Sequence, residues 1–162
     1  MSNSSILEMA TKAIDGKNLK IVFPEGKDKR ILDAAIKHKE DGLIHPIVLG
    51  DKGQIQKIAN ENGLHLGDLE IVDPQYDENF NFLVEKFVEA RKGKATTMDA
   101  EYMLKKDNNY YGVMLVKAAL ADGMVSGAIG TTGDTIRPAL QLIKTKPGVS
   151  RVSGIMVMIG PN

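Results

Sequence analysis

Short apolar runs alternate along this chain with longer stretches whose apolar residues recur at helical spacing. Lys20 to Phe23 is an apolar run closed by Pro24-Glu25-Gly26, which predicts a strand. Asp28 to Glu40 reads as a helix with Ile31, Leu32, Ala35 and Ile36 on one face. His45 to Leu49 is a second strand ended by Gly50, and Gln54 to Glu61 a short helix carrying Ile55, Ile58 and Ala59. Leu69 to Val72 is a third strand, stopped by Asp73-Pro74. Phe80, Leu83, Val84, Phe87 and Val88 follow the i, i+3, i+4, i+7, i+8 rule, and this helix ends near Arg91-Lys92-Gly93. Thr97 to Lys106 and Asn109 to Ala121 predict two more helices. A fourth strand is expected from Met124 to Ile129, within an apolar stretch that starts at Ala121. Asp134 to Thr145 predicts a helix capped by Asp134, with Arg137 in its first turn, and Ser153 to Ile159 a fifth strand.

This strand–helix alternation implies an α/β fold: a parallel sheet sandwiched by helices on both faces. In such sheets ligands sit outside the carboxyl ends of the strands. Two turns match that place, Pro24-Glu25-Gly26-Lys27-Asp28 and Gly130 to Asp134. The chain stops at Gly160-Pro161-Asn162, directly after a run of the kind that normally feeds another helix, so a piece of something longer is expected.

Composition narrows the function classes. The 162 residues are 43% hydrophobic and 26% charged, ordinary for a globular domain with a real core. Lys plus Arg (21) balances Asp plus Glu (21), which argues against a general nucleic-acid or membrane surface. Any anion site must be local. There is no Cys, so disulfides, thiolate catalysis and Cys-ligated zinc are excluded. Met1 to Lys12 lacks the pattern of a secretory signal and no apolar run reaches membrane-spanning length, so a cytoplasmic protein is expected.

The stretch from Ser126 to Pro138 carries the most chemistry. A strand runs into a small-residue turn and then a helix, whose first turn has free N–H groups and a partial positive charge. Gly127, Gly130 and Gly133 are spaced G-x-x-G-x-x-G, neither the dinucleotide fingerprint nor the P-loop. The turn reads either as a tight structural connection or as a backbone surface for a ligand. The hydroxyls of Thr131, Thr132 and Thr135 favour the ligand, as donors to phosphate oxygens. A cation in a first turn is unfavourable unless an anion joins it, so Arg137 reads as a bidentate phosphate grip, the other reading being an exposed Arg or a partner for a nearby carboxylate. Pro138 is compatible with a helix here, since first-turn N–H groups have no helical partner. Arg91 by itself reads as a helix-end charge. Lys27, Lys29 and Arg30 cluster after the first strand, as an anion contact or a solvated helix start. His38, His45 and His65 sit in no hydrolase or zinc motif, and the Met residues read as core fillers.

Several of these segments resemble one family. Lys20-Ile21-Val22-Phe23-Pro24-Glu25-Gly26 with Arg30-Ile31-Leu32-Asp33-Ala34-Ala35 is similar to the opening of phosphate acetyltransferases (phosphotransacetylases). Asp122-Gly123-Met124-Val125-Ser126-Gly127-Ala128 resembles that family's D-G-x-V-S-G-A strand, and Asp134 to Thr145 its D-T-x-R-P-A-L-Q-I-I-K-T helix. The resemblance implies an isocitrate/isopropylmalate dehydrogenase-like fold, with residues 1–150 forming the N-terminal α/β domain. Residues 151–162 would be the first strand of a following region, the second domain being largely missing. It implies the reversible reaction acetyl-CoA plus phosphate to CoA plus acetyl phosphate; in the opposite direction the CoA thiolate attacks the carbonyl of acetyl phosphate. Arg91 and Arg137 match two family arginines that hold phosphoryl oxygens. Ser126, Gly127, Thr131, Thr132, Asp134 and Thr135 are then expected to line the substrate. No metal and no permanent cofactor are implied. CoA, acetyl phosphate and phosphate are the partners, and the full-length protein is expected to be a homodimer.

Two departures matter. The family usually has His-Ser where this chain has Gly130-Thr131; Thr keeps a hydroxyl, whereas Gly cannot replace an imidazole. The family's Ser-Arg pair and catalytic Asp match no residue here, so this chain alone is expected to be inactive. The alternatives are a phosphate butyryltransferase, and a non-catalytic domain binding CoA or an acyl phosphate, as in malic-enzyme fusions. A nucleotide-binding Rossmann domain lacks its fingerprint.

Overall fold

The computed structural model describes residues 3–152 and 154. Four strands form one parallel sheet: β1 (Lys20–Phe23), β2 (His45–Leu49), β3 (Glu70–Val72) and β4 (Gly123–Met124), in the order β3-β2-β1-β4. The helices are α1 (Asn3–Ile14), α2 (Lys29–Glu40), α3 (Lys52–Glu61), α4 (Phe80–Arg91), α5 (Thr97–Lys106), α6 (Asn108–Lys117) and α7 (Thr132–Leu142). Nothing in the sequence pattern anticipated α1.

Strand periodicity divides the core into two layers. Val22, Ile47 and Leu49 point to one face and pack with Leu83, Val84 and Phe87 of α4, Leu104 of α5, Tyr110, Tyr111 and Met114 of α6 and Leu142 of α7. Phe23 and Val48 point to the other and pack with Leu32 and Ala35 of α2 and Ile55 and Ala59 of α3. Helices therefore cover both faces, as the alternation predicted. Gly112 lets α6 lie directly on the sheet: a Cβ there would meet Met124 Sδ at 2.7 Å and Val22 Cγ1 at 3.1 Å.

Pro46 lies inside β2, an interior strand, where proline normally removes a ladder bond. The register explains its tolerance. The N–H of His45 donates toward β1, to the Leu19 carbonyl at 2.8 Å, and that of Gly50 toward β3, to Val72 at 3.0 Å. Alternation puts the Pro46 nitrogen on the β3 side, where pairing begins only at Ile47 opposite Glu70.

Three expected boundaries are corrected. The strand expected over Met124 to Ile129 is only Gly123–Met124, extended by one Val125 N–H bond to the Val22 carbonyl at 2.9 Å. Beyond it Gly127 takes a φ of +113°, and the N–H groups from Gly127 onward turn to a side chain instead of a strand. The helix expected to end at Ala121 stops at Lys117, because Ala119 turns left-handed at φ +58° and Leu120 N–H returns to the Leu115 carbonyl. The last helix is capped by Thr131, not Asp134, and ends at Leu142, before left-handed Lys144. Arg137 is thus in the second turn, and Pro138 lies in the helix interior, where its missing N–H leaves the Asp134 carbonyl without a helical partner. The strand expected over Ser153 to Ile159 lies outside the described residues.

Candidate functional site

Strand order reverses direction beside β1: the chain steps from β1 to β2 and β3 on one side, then returns to place β4 on the other. The loops leaving β1 and β4 separate at such a switch point and open a crevice at the carboxyl ends. Here Pro24 to Asp28 faces Val125 to Thr131 across it.

One side chain closes the gap. The Glu25 carboxylate accepts four consecutive backbone N–H groups: Gly127 at 3.0 Å and Ala128 at 2.8 Å on Oε2, Ile129 at 2.8 Å and Gly130 at 3.1 Å on Oε1. Successive N–H groups converging this way form an anion nest. Partial burial works against charge on Glu25, but the four N–H donors outweigh it and hold its pKa below the ordinary value. Arg30 grips the same turn by its carbonyl, Nη2 donating to Ala128 O at 3.0 Å. Its guanidinium also pairs with Asp28, whose carboxylate accepts from Nη2 at 2.6 Å. Hydrogen bonds from the Arg30 side chain and N–H hold Asp28 down at about 2. Asn108 Nδ2 ties the two loops after β1 and β2, donating to Pro24 O at 3.0 Å and Leu49 O at 3.3 Å.

The start of α7 is satisfied from within. Thr131 Oγ1 donates to Asp134 Oδ2 at 2.7 Å and accepts the Asp134 N–H at 3.2 Å, while Asp134 also accepts the Thr131 N–H, a capping box. The bonds from Thr131 keep the Asp134 carboxyl low, aided by the charge of Arg137. Thr135 Oγ1 donates to the Thr131 carbonyl at 3.3 Å, and Ser126 Oγ to Asn109 Oδ1 at 2.7 Å. Of the residues expected to line a substrate, Ser126, Thr131, Asp134 and Thr135 therefore have internal polar partners, as does the Gly127 N–H. Thr132, at the first helical position, is exposed.

Arg137 is exposed and folds back toward the start of its helix, where a Cβ on Gly133 would lie 3.8 Å from its Nη2. Arg91 is half-buried at the last position of α4. The charges of Arg137 and Arg91 both bear on Tyr110. Burial and then Asp107 push this phenol up, and the charges of Arg137 and Arg91 pull it back. Its hydroxyl donates to Gln141 Oε1 of α7 at 3.0 Å, and its ring packs against Phe87 of α4 with centroids 6.1 Å apart. Tyr110 of α6 thus sits between the helices that carry the two arginines.

Two hollows flank the turn. A cleft of about 480 Å³ opens at the carboxyl ends of β1, β2 and β3, with Glu25, Lys27, Asp51, Lys105, Ile129 and Gly130 in its wall. Of the basic cluster after β1, Lys27 faces this cleft and Arg30 serves the turn. An apolar groove of about 350 Å³ runs between α6 and α7, bounded by Val113, Met124, Thr135, Ile136 and Leu140. Among the described residues there is no cluster of metal ligands, and no helix is long and apolar enough to cross a membrane.

The sequence reading missed Glu25, Asn109, Tyr110 and Gln141. Glu25 alone carried a local signal, an acid between Pro and Gly at a strand's carboxyl end. The others take part only through partners that are remote in the chain.

Comparison with known proteins bears on the whole chain. A family described as phosphate acetyl/butaryl transferase matches residues 3–162. The chain is 49% identical over 156 residues to the phosphate acetyltransferase of Staphylococcus aureus strain Mu50, an alignment covering 96% of this chain and 47% of that protein. It is 50% identical over 157 residues to that of Staphylococcus epidermidis, again covering 96% and 47%. Among solved structures it superposes on a phosphotransacetylase from Streptococcus pyogenes with a TM-score of 0.88 and 52% identity, covering 93% of this chain and 46% of that one. The EutD phosphotransacetylase from Staphylococcus aureus gives a TM-score of 0.87 and 48% identity, covering 91% and 44%. The chain spans about half the length of the curated relatives it matches.

Proposed function

The chain belongs to the phosphate acetyl/butaryl transferase family, and on that footing we propose that the whole protein transfers an acetyl group reversibly between CoA and inorganic phosphate. The observation that carries the reading is that Tyr110 packs against Phe87 of α4 and bonds to Gln141 of α7, between the two helices that bear Arg91 and Arg137. Arg137 and Arg91 come from separate helices, α7 and α4, and the charge of each works against the upward shift of Tyr110. An acyl phosphate is an anion that guanidinium groups on two neighbouring helices would grip.

In the direction that forms acetyl-CoA, the CoA thiol gives up its proton, which ends on the departing phosphate, and its sulfur attacks the carbonyl of acetyl phosphate. The new C–S bond forms, the tetrahedral intermediate collapses, and the C–O bond to the phosphoryl group breaks. Phosphate leaves with the electron pair. Arg137 and Arg91 hold the phosphoryl oxygens and offset the negative charge that grows on them as that bond breaks, which favours the transition state over the bound acyl phosphate. Thr132, exposed at the first position of α7, adds a hydroxyl donor. The capping box of Thr131 and Asp134 and the Thr135 bond act by fixing the helix start. CoA serves as substrate, so no permanent cofactor is invoked; a cytoplasmic homodimer is the expected setting.

The test is acetyl-CoA formation from acetyl phosphate and CoA by the whole protein, with Arg137→Ala alongside. Turnover that collapses in the variant, with the fold retained, supports the reading. Unchanged kinetics would remove Arg137 from the site.

A second reading, a domain that binds an acyl phosphate or CoA without turnover, is favoured by the internal engagement of Ser126, Thr131 and Thr135 hydroxyls. Calorimetric binding by a whole protein that forms no acetyl-CoA would select it.

A further inference from the structure

A glycine turn entering a helix offers backbone N–H groups that a phosphate would ordinarily take. In this protein those groups already have an anion. We propose that Glu25 is a positioning residue: it fills the nest of Gly127 to Gly130 as a built-in anion, fixes the turn, and keeps substrate anions out of the backbone array. The phosphoryl group is then left to the side-chain donors around Arg137. This rests on the acyl-phosphate reading only in that last step.

The geometry carries the proposal in several ways. Both carboxylate oxygens of Glu25 are engaged, each by two N–H groups between 2.8 and 3.1 Å. A free anion would have to displace a tethered one, which acts at a high effective concentration. The tether is rigid. Pro24 is buried and its carbonyl is held by Asn108. On the other side of Glu25, a Cβ on Gly26 would stand 2.6 Å from Leu49 O and 2.6 Å from Val48 Cγ1, so this backbone is seated against β2. Arg30 anchors the turn from its carbonyl side. The turn leads straight into Thr131, the cap of α7, so its position sets where the helix and Arg137 begin. Neither conservative replacement reproduces the fit: Asp is a methylene short, and Gln would point an NH₂ at two N–H donors.

The experiment uses nuclear magnetic resonance on this chain, following the amides of Gly127, Ala128, Ile129 and Gly130 and the Nε of Arg137. Wild type is compared with Glu25→Ala and Glu25→Gln, each titrated with inorganic phosphate and with acetate. In wild type, phosphate is expected to shift Arg137 Nε and leave the four amides in place. In Glu25→Ala the four amides are expected to exchange at least about tenfold faster, and added acetate to restore their shifts by entering the vacated nest. If Glu25→Ala does not fold, Glu25→Gln, of the same size, carries the exchange comparison. Unchanged protection in a folded variant, no response of the vacated nest to acetate, or wild-type amides that move with phosphate would each overturn the proposal. A silent Arg137 Nε with every amide result as expected would overturn the acyl-phosphate reading and leave the role of Glu25 standing.

Discussion

Arg30 and Ala128 lie 98 positions apart in the chain, and the Arg30 guanidinium donates to the Ala128 carbonyl at 3.0 Å. With Glu25 on the N–H side, the turn between β4 and α7 is held by both of its hydrogen-bonding edges from the loop after β1. Removing one hydrogen bond of this kind costs about 0.5–1.5 kcal/mol. Arg30→Ala is therefore expected to speed amide exchange at Gly127 to Gly130 by roughly two- to tenfold, without unfolding the domain. Hydrogen exchange at residue resolution checks this, and protection equal to wild type would mean that Glu25 alone suffices.

Arg137→Ala in the whole protein is expected to lower kcat/KM by about 10²–10³, the loss typical of a donor that meets charge developing in the transition state. Arg137→Lys should recover part of it, since a point charge cannot reproduce a planar two-pronged contact. Arg137 is exposed, so the urea midpoint should stay near that of wild type. Steady-state kinetics with acetyl phosphate, alongside urea denaturation, separates the two effects.

Acid should weaken the fold through its paired carboxylates. Glu25, Asp28, Asp99 and Asp134 all have lowered pKa values in the folded chain. A group depressed on folding stabilises the protein above its unfolded pKa, and that contribution is lost as pH falls through the folded pKa. For Asp28 the window runs from its ordinary 3.8 down to about 2. Asp28→Asn keeps a cap for α2 but loses the ion pair with Arg30, so stability of the variant should fall less steeply with acid in that window. Urea titrations at stepped pH measure it, and parallel slopes would show that the Asp28–Arg30 pair has no bearing on stability.

Gly26→Ala should destabilise the chain by about 1–3 kcal/mol, the usual cost of forcing atoms into a filled space. The added carbon would meet a backbone carbonyl, Leu49 O at 2.6 Å, which cannot swing aside as a side chain does. Denaturant unfolding reads the loss. A midpoint equal to wild type would mean the loop after β1 shifts freely, contrary to the rigid seat assigned to Glu25.

Tyr111 is fully buried and its hydroxyl donates to Asp77 Oδ2, tying α6 to the loop ahead of α4. Burial, then the bond and charge of Asp77, push this phenol up, so it is protonated and able to donate throughout the physiological range. Tyr111→Phe leaves a carboxylate without one of its donors, at a cost of about 1.5–3 kcal/mol. Thermal or urea unfolding checks the size; a neutral substitution would mean that water replaces the hydroxyl.

The elements most legible in the sequence were those whose side chains meet neighbours of their own segment. β1 and β2 and helix α5 lie at the expected residues, because the apolar run, the proline or glycine stop and the cap are all local. Arg137 stood out because glycines and threonines surround it. Yet its justification as a first-turn cation did not survive: Thr131 caps the helix and Asp134 completes the capping box, so Arg137, sixth in the helix, lies in its second turn. The overextended β4 failed for another reason. Val125 to Ile129 looks like a strand by composition, and only the arrival of Glu25 from the far side of the switch point takes its N–H groups out of the ladder.

Hydrophobic period and turn residues, which depend on neighbours a few positions away, by themselves determined the layered α/β architecture and the place of the glycine turn at the end of β4. Which groups remain open at that turn was decided by tertiary structure alone. Hydrogen-bond donors take the nearest acceptor in space, and the folded sheet brings the carboxylate of Glu25 to Gly127, 102 positions away, leaving the guanidinium of Arg137 facing outward.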